Sequence, residues 1–356
     1  MDTAGDARAG GTTRTPGGTG RTGGGGATGT TSPGSPGSTA EYDAFGPWID
    51  PVRTEEELPR LFRAHGVDLA SARLVLKVPR EISRRDATPD MDLYDHLLVV
   101  GPETFTVLSR HGATVVATDL RYDEIAAVRT SVNLLDGRLT VLTRSGEVLA
   151  VRFSGSSSAA VTALVDLLRL SAWPAPAVSP DGSVPGGGGQ HVAPGVADGR
   201  PLDRRALGER EIGLLTEYRD ALVGHPDVRT LAAHPRMVVR PARGGPAALT
   251  HLLRPMTLHA LVVCSDGTEL QVFGRADPLV RGRTPDHSWS RLVLPVAGIT
   301  AVTSRPDPRY AGVGTVTIAV GAASLHLPVP AGSPTEQALL AAAEGLGARE
   351  VITPGE

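Results

Sequence analysis

The chain contains few of the residues from which many functional sites are built. Its 356 residues include a single cysteine, Cys264, so neither an internal disulfide nor a cysteine-based zinc site can form. Lys77 is the only lysine. No apolar run reaches the roughly 18 residues of a membrane-spanning helix, and the first residues lack the apolar segment of a secretion signal. We therefore expect a cytoplasmic protein.

The balance of charge argues against a nucleic-acid partner. The formal net charge is −3, and the arginines are spread along the whole chain instead of being concentrated in one half. A nucleic-acid-binding domain usually carries a clear basic excess on one face or along one helix. We therefore expect no nucleic acid among the partners of this chain.

Two segments have a composition typical of disorder. Residues 1–40 consist almost entirely of small, polar, glycine and proline residues, and residues 173–199 have the same character. Such segments cannot bury enough apolar surface to offset the entropy lost on ordering. We predict a disordered tail at 1–40, a first β module at 41–172, a disordered linker at 173–199 and a second β module at 200–350.

The sequence carries no motif that commits it to a reaction. Its glycine runs lack the flanking strand and the Lys-Ser/Thr of a phosphate loop, and its ten histidines are scattered. The acidic stretch from Asp86 to Asp95 could bind a divalent cation, but it lacks the spacing of a calcium loop and is expected instead to pair with the arginines before it. We predict no enzyme activity, no cofactor and no metal, with an enzyme of unrecognised site as an alternative.

The first half changes from helical to strand-like periodicity near Arg73. A short helix is predicted over 58–65, with Thr54 opening it in a capping-box pattern. Seven β-rich runs follow between 72 and 153, with hairpin turns expected at Asp136 and Gly137 and at Ser145 and Gly146. A closing amphipathic helix is predicted over about 157–170.

The second half has a similar pattern after a longer opening helix, predicted over about 203–223. Strands are expected at 236–240, 258–265, 268–275, 291–296, 298–304, 313–320 and 323–329. A closing helix begins at Ser333 and Pro334, a cap followed by proline at the first helical position. The fold class is therefore α+β and mainly β, with each half closed by a C-terminal helix.

The order of elements is the same in both halves and indicates a duplication. Ile125 and Val128 of the first half correspond to Ile299 and Val302 of the second, and a hairpin and a helix follow each pair. This I-x-x-V element between two hairpins resembles the bacterial PH-like and GRAM-type domains, over residues 95–170 and 258–347. The resemblance implies two tandem PH-like partly open barrels or sandwiches, and members of that family mostly bind lipids, peptides or proteins.

These observations predict a non-catalytic binding or scaffold protein whose PH-like modules engage a protein partner. Strand edges, loops and the groove between modules are the candidate surfaces. The alternative is binding of an anionic membrane or ligand through a basic loop formed by Lys77, Arg80, Arg84 and Arg85. The first hairpin turns of the two halves carry no basic cluster, which argues against a phosphoinositide-type site.

Overall fold

Antiparallel β-sheets make up most of the structure, a computed structural model that describes residues 39–173, 202–242, 254–282 and 285–344. Every pair of neighbouring strands in these ranges is antiparallel, and none of the sheets they form closes into a barrel. The prediction of a mainly β chain is confirmed. The predicted tail (1–40) and linker (173–199) lie almost wholly outside the described residues.

The first half contains a short opening helix, eight strands and a closing helix. The helices are α1 (Ala40–Ala44) and α2 (Ser158–Ala172). The strands are β1 (Asp50–Pro51), β2 (Leu74–Pro79), β3 (Tyr94–Val100), β4 (Thr104–His111), β5 (Thr114–Arg121), β6 (Ile125–Asn133), β7 (Asp136–Thr143) and β8 (Val148–Ser154). β1 to β5 form a five-stranded sheet in chain order, and β6 to β8 are consecutive neighbours in a larger sheet.

The second half contains two opening helices, eleven described strands and a closing helix. The helices are α3 (Arg204–Leu207), α4 (Ile212–Gly224) and α5 (Pro334–Glu344). The strands are β9 (Arg229–His234), β10 (Met237–Pro241), β11 (Met256–Leu258), β12 (Leu261–Ser265), β13 (Glu269–Gly274), β14 (Leu279–Arg281), β15 (Ser288–Pro295), β16 (Ala301–Pro306), β17 (Tyr310–Ala311), β18 (Val313–Val320) and β19 (Ala323–Pro330).

These strands form three groups. β9, β12, β13 and β15 are neighbours in that order, β16, β18 and β19 form a three-stranded sheet, and β14, β11, β10 and β17 form a small separate sheet. None of the helices in the described ranges has the length and hydropathy needed to cross a lipid bilayer.

One strand pairing joins the two halves into a single sheet. β15 of the second half pairs with β6 of the first in antiparallel register, from Ser288 opposite Asn133 to Val293 opposite Val128. The result is a seven-stranded sheet in the order β8-β7-β6-β15-β13-β12-β9. All eight residues of β15 are buried, as expected for a strand with neighbours on both sides and covered faces.

The two faces of this sheet carry different cores. Residues directly opposite each other share a face, and successive residues alternate between faces. Val128 lies opposite Val293 and belongs to the core that contains α2. Leu292 precedes Val293, so its side chain is on the other face, and it belongs to the core that contains α5. The core around α2 and a core around α4, which includes Val262 and Phe273, therefore lie on one face of the shared sheet, and the core around α5 lies on the other.

The helix predicted over 58–65 is wrong. Two 3₁₀ turns, Glu55–Glu57 and Arg63–His65, occupy the segment, and Leu58 between them is extended. Pro59 explains the break, because proline disfavours helical backbone at the residue before it and lacks an amide proton. Thr54 makes no side-chain capping bond.

The single helix predicted over 203–223 is also wrong, because Gly208 divides it into α3 and α4. Gly208 adopts φ +115°, a conformation that side chains other than glycine rarely adopt, and it accepts an amide hydrogen bond from Glu211 through its carbonyl. The strand predicted over 258–265 is likewise divided. His259 and Ala260 separate β11, in the small sheet, from β12, in the seven-stranded sheet.

Two expected hairpin turns have different outcomes. Gly146 has φ +91° and forms the turn between β7 and β8, as predicted. Gly137 lies inside β7 instead, and a Cβ there would lie 2.5 Å from the Phe153 ring, which accounts for the glycine. The turn between β6 and β7 is formed by Leu134 and Leu135, with Leu134 at φ +58°.

Candidate functional site

A groove lies between the two halves on one face of the seven-stranded sheet. Its volume is about 320 Å³, and residues of β6, β7 and β8 line it together with residues of β12, β13, β15 and β19. Its apolar lining includes Leu142, Val148, Leu261, Leu325 and Leu327. A volume of this size is at the lower end of the range for ligand-binding clefts, so the groove suits a few side chains and not a whole domain.

The shared sheet explains why both halves reach this groove. Arg129 of β6 lies opposite Leu292 of β15, so both side chains emerge on the same face. That face of the first half is turned away from its own core, since Val128, the residue before Arg129, is a core residue. The outer face of β6 to β8 therefore continues into the second half and ends beside β19.

Arg129 gives the groove a positive charge. One of its guanidinium nitrogens, Nη2, donates a hydrogen bond to the backbone oxygen of Ala276 at 2.6 Å. Burial lowers the pKa of this arginine, and the carboxylate of Asp277 offsets part of that effect. Within the described residues no carboxylate lies within 4.0 Å of it. A half-buried guanidinium beside an apolar groove favours a ligand that carries a carboxylate.

A charged cluster on the opposite face holds the two halves together. Arg169 of α2 reaches across to Glu269 of β13, with 2.7 Å between Nη2 and Oε2, and both side chains are buried. The same arginine pairs with Asp166 at 2.9 Å, and Nε2 of His225, at the end of α4, lies 3.2 Å from that carboxylate. Burial raises the pKa of Glu269, which Arg169 partly counteracts. Breaking such a buried pair leaves an uncompensated charge, so the cluster resists separation of the halves.

A second buried cluster fixes the opening of the second half onto its sheet. Glu211 accepts from Arg275 Nε at 2.5 Å and lies 3.2 Å from His259 Nδ1, and all three side chains are buried. Arg275 also donates to the backbone oxygens of Arg210 and Pro285. Burial alone would raise the pKa of Glu211, but the hydrogen bonds from His259 and Arg275 outweigh it and hold the pKa below its usual value.

Three of the four predicted basic-loop residues contact their own module. Lys77 is buried, donates to the Glu57 carbonyl at 3.4 Å and lies over the Tyr94 ring. Arg80 donates to the Asp92 carbonyl at 3.0 Å. Arg84 donates to the backbone oxygens of Tyr42 and Phe45 and stacks on the Tyr42 ring, with 4.2 Å between its guanidinium carbon and the ring centroid.

Arg85 is the member of that set whose side chain is largely exposed, and it lies 3.9 Å from Asp86. The structure therefore does not bring the four cations together around one ligand-sized space. Their binding of an anionic membrane or ligand stays a prediction.

The acidic stretch was predicted to pair with the arginines just before it, but its shorter ion pairs are with arginines elsewhere in the module. Asp95 lies 3.9 Å from Arg80 and 2.7 Å from Arg110, and Asp92 lies 3.0 Å from Arg60. Among the described residues, no group of three or more His, Cys, Asp or Glu is placed to hold a metal ion.

Arg129 was not among the predicted site residues, because the pattern of its strand was interpreted only by its apolar residues. Arg129 and Arg291 are each the one charged residue of their strand, and their side chains lie on opposite faces of the shared sheet. A charged residue within such a run is the signal that could have identified them. Comparison of the chain with protein-family models, with curated proteins and with solved structures finds no match.

Proposed function

We propose that the chain is a non-catalytic binding protein in which two PH-like modules hold an extended segment of a protein partner in the groove between them. The observation that carries this proposal is the groove itself, because residues of both halves line it. A site that needs both modules gives the tandem arrangement a purpose that either module alone would not serve.

The strand order supports tandem PH-like modules. Each half contains a four-stranded run, β2 to β5 in the first and β9, β12, β13 and β15 in the second. A three-stranded run follows in each, β6 to β8 and β16, β18 and β19, and then a helix packs on the core, α2 or α5. The resemblance implies an I-x-x-V element before a final hairpin and a closing helix, and Ile125 and Ile299 stand at the start of the two three-stranded runs.

The lining defines the chemistry of the segment that the groove would take. Leu142, Leu325 and Leu327 offer an apolar surface, and Arg129 offers a cation. The matching segment carries one or two apolar side chains and an acidic side chain or a terminal carboxylate. An extended peptide suits the site because the groove is bordered by β8 and β19, each of which has one neighbour strand among the described residues.

Selection from a random peptide display library tests this function. We expect the selected peptides to share an acidic position next to apolar positions. Their affinity should fall about ten-fold or more for Arg129→Met, because a buried charge-assisted hydrogen bond is lost. Arg229→Met, which changes an exposed arginine of β9 away from the groove, is the matched control and should retain full affinity.

A second variant, Leu327→Arg, places a cation in the apolar part of the groove and should also abolish binding. Thermal unfolding of each variant establishes that it is folded before affinity is compared. Peptides that bind both groove variants as tightly as the unaltered protein would overturn the groove as the binding site.

A further inference from the structure

Two other strands of the molecule are equivalent to β15 and β6 but do not pair with each other. Aligning Ile125 with Ile299 places β5 (Thr114–Arg121) over β15 (Ser288–Pro295) from end to end. The 3₁₀ turns that follow, Tyr122–Glu124 and Val296–Gly298, also coincide. β5 is therefore the equivalent of β15, and β16 is the equivalent of β6.

The two equivalent strands are edges. β15 lies between β13 and β6, whereas β5 has β4 as its one neighbour among the described strands. β6 lies between β7 and β15, whereas β16 has β18 as its one neighbour in the same ranges. The join inside the chain therefore uses β15 and β6. It leaves their equivalents, β5 and β16, without a second neighbour among the described strands.

Both open edges are accessible for strand pairing. Five of the eight residues of β5 are exposed, including Val116 at 48%. Val115 and Thr118 are half-buried, and Leu120 is buried. β16 has no buried residue. Proteins usually protect a long edge with lysine, proline or a bulge. β5 contains neither lysine nor proline, and the one proline of β16, Pro306, is its last residue. An edge of this kind is a template for another strand.

We propose that β5 of one molecule pairs with β16 of a second molecule, in the register of the internal join. The register of that join, carried over by the alignment, places Val116 opposite Arg305, Ala117 opposite Ser304 and Thr118 opposite Thr303. A threonine pair across two antiparallel strands is a favourable combination. The inference rests on the equivalence of the two modules in the proposed function, and it does not involve the groove.

The assembly that results is head-to-tail. Each molecule has one β5 edge and one β16 edge. A row of paired molecules therefore still has an open β5 edge at one end and an open β16 edge at the other. Interfaces of this kind produce closed rings when the rotation between molecules closes, and open filaments when it does not. The partner of the open edges is therefore a second copy of this chain.

Disulfide trapping tests the pairing and its register. With cysteines introduced as Val116→Cys and Arg305→Cys in one chain, mild oxidation should give a ladder of species above the dimer on a non-reducing gel. Either substitution alone can give at most a dimer. Cys264 does not interfere, because it is buried and burial raises the pKa of its thiol to about 12. Val116→Cys with Ser304→Cys is the control, since the two side chains would lie on opposite faces and should cross-link much less.

Sedimentation equilibrium of the unaltered chain gives an independent result. The average mass should rise above the 36.9 kDa of one chain as concentration increases from micromolar to near-millimolar. Val116→Lys should weaken association about ten-fold or more, because a charged lysine on an edge opposes strand addition.

A chain that stays at 36.9 kDa throughout, or a double-cysteine variant that links only within one molecule, would overturn the proposal. Peptide binding by the Val116→Lys variant separates this outcome from the proposed function. If the groove binds selected peptides while the chain shows no assembly, the self-association is wrong and the binding function stands.

Discussion

Glu217 is an acidic side chain placed next to the charged cluster between the halves. Burial raises its pKa from the ordinary value of 4.5 to about 7, with further contributions from the carboxylates of Asp220 and Asp166, while Arg291 acts in the opposite direction. The folded state therefore binds this proton more tightly than the unfolded state does. The stability due to neutral Glu217 is present below pH 4.5 and is lost as the pH rises through about 7.

Glu217→Gln should remove this loss, because glutamine stays neutral at every pH. We expect the variant to exceed the unaltered protein in free energy of unfolding by up to about 3 kcal/mol above pH 7, with the difference vanishing near pH 4. Urea unfolding at several pH values measures both curves. Two curves that stay parallel between pH 4 and pH 8 would show that Glu217 does not titrate in this range.

The hairpin between β6 and β7 turns through a leucine in an unfavourable conformation. Leu134 has φ +58°, a region that costs an ordinary side chain roughly 1–2 kcal/mol. Its side chain is 56% exposed, so burial does not compensate for this cost. The hairpin is closed in spite of the leucine, because β6 and β7 pair without interruption from Asn133 opposite Asp136 to Ala127 opposite Leu142.

Leu134→Asn should therefore stabilise the protein by roughly 1 kcal/mol, since asparagine tolerates the left-handed region. Leu135→Asn is the matched control, because Leu135 is also exposed, at 70%, and has no positive φ. It should change the free energy of unfolding by less than about 0.5 kcal/mol. Thermal or urea unfolding gives both values, and an equal effect of the two substitutions would refute the account of strain at Leu134.

Strands were predictable from the sequence because alternation of apolar residues is a local signal. Most expected runs lie within one or two residues of an observed strand, as in the segment from Val313 to Val320. Two helix predictions were wrong because a single residue, Pro59 or Gly208, interrupts the helix that the apolar spacing indicates. The turn expected at Gly137 failed because the Phe153 ring, distant in sequence, requires the glycine inside the strand.

The join between the halves could not be predicted, because strand partners are chosen by non-local contacts. β15 did carry one sign of it: all of its residues are buried, and its sequence lacks a clean alternation. Such a strand is typical of the middle of a sheet covered on both faces. The groove beside Arg129 is formed by this join, so the candidate site could not be predicted from the sequence for the same reason.

Over the described residues after 38, the molecule is organised around one sheet with apolar cores on both faces. Ala126 and Ala127 of the first half belong to the core of the second, and Trp289 of the second half belongs to the core of the first. Neither half can leave the other without exposing part of both cores. We therefore regard the two modules as one structural unit in which the groove and the edges β5 and β16 are fixed relative to each other.

Amide hydrogen exchange of the Val116→Lys variant, measured at low concentration by mass spectrometry, tests the join most directly. If β6 and β15 are paired, their amides should exchange about ten-fold or more slowly than those of the equivalent edge strands β16 and β5, because only the paired strands have hydrogen-bonded neighbours on both sides. Equal exchange rates for the two pairs of strands would contradict the shared sheet.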